Sequence, residues 1–252
     1  MRKNRISQIL FRPIFLIVAV GLTLTCRTQA VNILQLYIEG ATYDTDSETW
    51  VASGGDTFRL WAIGNVAGDG GKGTIEDVKL SIAYISGETP TISLTSSTTG
   101  GFGGFTDPST PSDPVFSQTV TDGSSPLLGD GSPLPSHGIY GTGTDWVEYN
   151  LGDFNLTDSP GGDFSNSLPT PVGAGGFQIN VYEVSITGTD FVHFDLYNHY
   201  FKQNGDAQYK FAPFSHDAEH THGVPDGGST VMLLGMVLVG FFAARRFKLV
   251  KA

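Results

Sequence analysis

Val78-Lys79-Leu80-Ser81-Ile82-Ala83-Tyr84 sets Val78, Leu80, Ile82 and Tyr84 at every second position, with Lys79, Ser81 and Ala83 between them. In an extended chain successive side chains point to opposite faces, so this stretch reads as a half-buried strand. The same period returns in Leu34, Leu36 and Ile38, in Phe58, Leu60 and Ala62, in Tyr182, Val184 and Ile186, and in Val192, Phe194 and Leu196. Turn-forming residues separate these runs: Asp44 to Ser47, Ser53 to Asp56, the glycine-rich Gly68 to Gly73, Gly87 to Pro90, and Gly188 to Asp190. No stretch between Val31 and Phe211 combines a 3.6-residue period with helix caps. The expected fold is all-β, an antiparallel β-sandwich or jelly-roll-like domain with long Gly/Ser/Pro loops.

Two segments interrupt the pattern. Ser97 to His137 is dense in Ser, Thr, Gly, Pro and Asp, and compact domains seldom carry about forty residues of loop without a use for them. One short strand is predicted inside it, over Val115 to Val120. Ser159 to Gly176 reads as a second excursion, and His216 to Gly223 as a short polar linker.

Both ends read as processing segments. Arg2, Lys3, Arg5 and Arg12 precede the apolar run Ile14 to Leu24, which is the layout of a secretory signal peptide. At about 11 residues the run is too short to cross a ~30 Å hydrocarbon core, so cleavage after Ala30 is expected. Cys26 opens a second route, lipoprotein processing, although Thr25 stands where such sites carry Gly, Ala or Ser. At the other end Val231 to Ala244 is uninterruptedly apolar and is closed by Arg245, Arg246, Lys248 and Lys251. Extended over about 228–247, this predicts one transmembrane helix with its basic tail in the cytoplasm and the body outside.

The chain has 252 residues, a net charge of −11 and one cysteine. A disulfide-stapled domain and a Cys-based zinc module are excluded, and the acidic balance argues against nucleic acid as a partner. Five of the 14 Lys and Arg fall in the signal and four in the tail. All 25 acids lie between Glu39 and Asp226, so the exported part carries a formal −20. Such a body attracts divalent cations diffusely; weak Ca²⁺ association is expected, and no dedicated cofactor.

Val224-Pro225-Asp226-Gly227-Gly228-Ser229-Thr230, followed by the span and Arg245-Arg246, closely resembles the VPDSG-CTERM variant of the PEP-CTERM sorting signals. Gly227 stands where the name-giving form has Ser. The resemblance covers about the last 25 residues. It implies recognition by an exosortase, an integral-membrane transpeptidase-like enzyme of Gram-negative bacteria, with cleavage near the motif. Pro225 and the two glycines suit that role, since they cannot continue the membrane helix and leave an extended peptide outside the bilayer. The body more loosely resembles the secreted proteins called choice-of-anchor N, through Leu34 to Ile38 with Thr49 to Val51, Phe191 to Tyr197 and Lys210 to Asp217. That resemblance implies a surface-delivered module and no activity. The organisation expected is a signal over 1–30, a β-domain over 31–215, a linker over 216–223 and the sorting signal over 224–252.

Candidate chemistry is sparse. His193, Asp195 and Tyr197 share one face of a predicted strand, and a secreted hydrolase would need His193 and Asp195 to converge with Glu183. His216, His220 and His222 are weak metal candidates, the last two as His-x-His. Asp44, Asp46 and Glu48 have a calcium-loop spacing without its glycine and distal glutamate, and Glu76-Asp77 is a carboxylate pair. Gly68 to Gly73 matches G-x-G-x-x-G, but no helix follows to hold a pyrophosphate. Trp50, Trp61 and Trp146 allow a carbohydrate-binding reading, with Trp61 opposite in phase to Leu60 and facing outward. The function expected is a non-enzymatic exported surface or extracellular-matrix protein, with exosortase, the inner membrane and extracellular polysaccharide as partners. A secreted carbohydrate-binding module is the alternative.

Overall fold

A computed structural model describes residues 33–67, 73–99, 111–128, 130–135, 139–164, 172–201, 207–211 and 217–222, without the side chains of 172–174, 199–201 and 207–211. The signal over 1–30, His216, the motif Val224 to Gly228, the span about 228–247 and Arg245-Arg246 lie outside the described residues. Thirteen strands and no helix are found among those described: β1 Leu34–Ile38, β2 Thr42–Asp44, β3 Thr49–Ser53, β4 Thr57–Gly64, β5 Ile75–Ile85, β6 Thr91–Ser97, β7 Val115–Val120, β8 Thr144–Phe154, β9 Ser159–Gly161, β10 Val172–Thr187, β11 Phe191–Phe201, β12 Ala207–Phe211 and β13 Ala218–Thr221. No helix among them is long and apolar enough to cross a membrane.

The strands form two sheets. The first runs β1-β4-β10-β6 with β9 beside β10, and the second β2-β3-β13-β11-β5-β8-β7 with β12 beside β11. The alternation read from the sequence sets the core between them: Leu34, Leu36, Ile38, Leu60 and Ala62 from the first sheet join Leu80, Ile82, Val192, Phe194 and Leu196 from the second, all fully buried. Phe58 and Phe194 meet edge to face, 5.9 Å between centroids, tying β4 to β11. Strand β7 falls where it was predicted.

Three expectations are corrected. The supposed polar linker over 216–223 contains β13, which is paired antiparallel to β11 and parallel to β3 inside the larger sheet. Its alternation was hidden by polarity: Ala218 and His220 are buried in phase with the core, while Asp217 and Glu219 take the opposite phase. The second excursion, Ser159 to Gly176, holds β9 and the start of the 16-residue β10, whose register shifts between Val172 and Phe177. Glycine is required there by close approach, because a Cβ on Gly175 would stand 2.3 Å from the Thr157 carbonyl oxygen. Trp61 does not face solvent. The stretch ending at Phe164 covers that side of β1 and β4: the Gln35 amide donates to Gly162 O (3.0 Å) and accepts from Phe164 N (2.8 Å), and Tyr37 packs edge to face on Trp61.

The long excursion after β7 covers the outer face of the second sheet. Leu127 bridges to Pro133 around a turn in which Gly131 takes φ +82, Leu128 and Leu134 pack on Tyr197 beside Tyr140, and Trp146 Nε1 donates to Ser124 O at 2.7 Å. This cover is what converts an exterior sheet face into a second buried layer.

Candidate functional site

Register assembles a polar layer beneath that cover. His193 pairs with Ala83 and Glu219, Asp195 with Ser81, Tyr197 with Lys79, and Ser81 with Glu148, so all these side chains occupy the phase opposite to Phe194 and Ile82. Asp217 precedes β13 by one residue and joins them. His193, Asp195, Asp217, Tyr197 and Glu148 are each at most 3% exposed.

His193 is the hub. Its Nδ1 lies 3.0 Å from Glu219 Oε1, and its Nε2 lies 3.4 Å from Asp195 Oδ2 and 4.0 Å from Asp217 Oδ2. Tyr140 donates its hydroxyl to Asp195 Oδ2 at 2.5 Å and meets Ser81 Oγ at 2.6 Å, which makes Ser81 the donor to Tyr140. Beside this group Tyr197 donates to Glu148 Oε2 at 2.5 Å, and Lys79 Nζ stands 3.6 Å from Glu148 Oε1 and 3.8 Å from Asp77.

Burial works to strip the proton from His193, but the Asp195 carboxylate, with hydrogen bonds donated by the ring to Asp195 and Glu219 and the charge of Asp217, outweighs it and holds the pKa up at about 10. Burial, reinforced by Asp195, keeps the Asp217 carboxyl well above the usual carboxylate range, against the pull of His193. Burial and then Asp195 push the Tyr140 hydroxyl far up, so it remains a donor. The cluster thus sets an imidazole whose pKa is held up among acidic side chains, next to the layer in which Leu128 and Leu134 pack on Tyr197 beside Tyr140. Among the described residues, the group whose His, Asp or Glu ligand atoms gather at metal-binding spacing is His193, Asp195 and Asp217, all within 4.8 Å of one another.

The other sequence candidates are distributed differently. Glu183 lies on β10 of the first sheet, paired in register with Arg59, and does not join His193. It lines an open groove of about 490 Å³ with Arg59, Glu39, Phe58 and His220, where Arg59 Nη1 is 3.4 Å from Glu39. His220 is a core plug: it stacks on Phe58 with centroids 4.2 Å apart and planes 13° off parallel, and its Nε2 lies 3.2 Å from the Gly54 carbonyl. Burial first, then the neighbouring His222, depresses its pKa. His222 Nδ1 turns to exposed Asp56 at 3.4 Å, and its ring meets that of His220 edge to face with centroids 4.9 Å apart. Asp44 Oδ1 accepts from Asp46 N at 2.9 Å, an Asx turn in the β2-β3 hairpin, and Asp77 N donates to Asp153 Oδ1 at 2.8 Å. Trp50, Trp61 and Trp146 are each at most 3% exposed, so no tryptophan presents a face to a sugar ring.

Sequence reasoning found the His193, Asp195, Tyr197 face, left Asp217 and Glu219 in a linker near the late histidines, and missed Tyr140. The signal available for two of these was the period-two alternation of Asp217-Ala218-Glu219-His220.

Residues 223–247 match the VPDSG-CTERM motif, which supports a C-terminal sorting signal on an exported protein. No curated protein matches the chain. Among solved structures, similarity is found to ACE19, the collagen binding subdomain of Enterococcus faecalis surface protein ACE, at 8% identity over 77% of this chain and 99% of that one. The TM-score is 0.26, too low for the likeness to carry any argument.

Proposed function

We propose that the protein is a non-enzymatic exported surface or extracellular-matrix protein, delivered through its C-terminal signal and processed there by an exosortase. The observation that carries this reading is the match of residues 223–247 to the VPDSG-CTERM motif. Two features of the body support it. The His193 cluster is buried, and the open groove beside β4 is lined by the Arg59–Glu39 ion pair. A formal charge of −20 on the exported part keeps it soluble and repels anionic membrane once it is released. Extracellular polysaccharide is the matrix partner this reading expects.

Fractionation of cells with and without an exosortase tests it, using the wild-type chain and a variant lacking Val224 to Thr230. Wild type leaves the inner-membrane fraction only in exosortase-positive cells, and the deletion variant stays there in both. Equal release of the two chains would overturn the reading.

A further inference from the structure

We propose that His193, Asp195 and Asp217 bind one first-row divalent metal ion of zinc-like preference, as a structural site beneath the cover of the second sheet. Three independent features converge on it. The first is spacing. A four-coordinate ion with bonds of about 2.0–2.2 Å holds its ligand atoms roughly 3.3–3.6 Å apart. His193 Nε2 and Asp195 Oδ2 already stand 3.4 Å apart, Asp217 Oδ2 lies 4.0 Å from that nitrogen, and all three ligand atoms lie within 4.8 Å of one another, so shifts of about an ångström or less bring them onto one ion.

The second is orientation. Glu219 takes the His193 Nδ1 side at 3.0 Å, the carboxylate-histidine pairing that fixes the ring tautomer and aims Nε2 at a metal. Tyr140 and Ser81 hold Asp195 in the same way, through the hydroxyl contacts at 2.5 and 2.6 Å. The site therefore has a supporting layer on both a nitrogen and an oxygen ligand.

The third is charge. Asp195, Asp217 and Glu219 set three carboxyl groups around one imidazole, and Asp195 and Asp217 are buried. Buried carboxylates need a compensating cation. A divalent ion supplies two positive charges at the point where these groups converge. The donor set of one imidazole and two carboxylates, without thiolate, favours Zn²⁺, Mn²⁺ or Co²⁺ over the all-oxygen cages of Ca²⁺ and Mg²⁺. The ion would join β11 to the start of β13, the strand that precedes the sorting motif in sequence. This assignment replaces the His-x-His candidate, since His220 stacks on Phe58.

The test uses the untagged exported protein, purified without chelator. Elemental analysis after gel filtration is expected to give about one equivalent of zinc or manganese, in wild type and in His220→Gln alike. After chelation, added Co²⁺ should produce the d-d absorption of a low-coordinate nitrogen and oxygen site. Glu219→Gln should weaken Co²⁺ binding about 10–100-fold, the usual effect of removing a carboxylate that orients a histidine ligand, and Asp217→Asn should weaken it further. Should Asp217→Asn fail to fold by circular dichroism, the wild-type spectrum and the Glu219→Gln affinity decide. Metal-free wild type with no Co²⁺ band, or metal lost from His220→Gln and kept by Glu219→Gln, would overturn the proposal.

Discussion

Replacing Tyr140 by Phe removes one oxygen from the cover and nothing else. That oxygen donates to Asp195 Oδ2 at 2.5 Å and meets Ser81 Oγ at 2.6 Å in a partly buried layer. A hydrogen bond to a charged group contributes about 1.5–3 kcal/mol, a neutral one about 1 kcal/mol, and part of this returns if Ser81 swings to another acceptor. The expected loss is about 2–3 kcal/mol, or roughly 5–10 °C in Tm for a domain of this size. Tyr149→Phe is the matched control, since its hydroxyl reaches only Ile92 O at 3.5 Å, and it should cost under about 0.5 kcal/mol. Urea denaturation of both variants, followed by tryptophan fluorescence and by circular dichroism, reads the difference. A loss in Tyr140→Phe no larger than in Tyr149→Phe would refute the claim that the cover is held down through this hydroxyl.

Gly161→Ala would place a Cβ 2.1 Å from the Phe177 ring, so β9 must shift off β10; a loss of about 2 kcal/mol or more is expected by thermal melting. Trp61→Ala should cost about 3–5 kcal/mol, and acrylamide should quench native tryptophan fluorescence poorly because all three indoles are enclosed. His220 binds protons less readily folded than unfolded. Its contribution is therefore full above about pH 6.5 and is lost as pH falls toward its lowered folded value, so His220→Phe should flatten the acid limb of a stability profile. In the chelated, metal-free protein His193 has the opposite sign: its contribution is full below about pH 6.5 and is lost as pH rises through about 10, which His193→Gln should abolish from the alkaline limb.

How far the structure was legible in the chain differs by element. The runs Val78 to Tyr84 and Val192 to Leu196 declared their strands through alternation of apolar residues, and β5 and β11 form there, although the second face is buried as well. β13 alternates equally well, but both of its phases contain polar residues: one faces the buried carboxylate layer and the other presents His220 to Phe58. Hydropathy cannot register a strand whose environment is itself polar. Trp61 was misjudged for a related reason. The phase rule assigns opposite faces to Leu60 and Trp61, and correctly so, but the segment ending at Phe164 buries the second face as well. The candidate site was half visible. His193, Asp195 and Tyr197 lie on one strand, where spacing suffices, whereas Glu219 and Tyr140 reach them through pairing and cover contacts that local sequence does not encode.

Sorting through the C-terminal signal is read out by the intact mass of the protein recovered outside the inner membrane of exosortase-bearing cells. The account predicts a chain that begins at Val31 and ends near the Val224 to Gly228 motif, lacking Arg245, Arg246 and the rest of the basic tail. A surface or released form that retains the chain through Ala252 would contradict it.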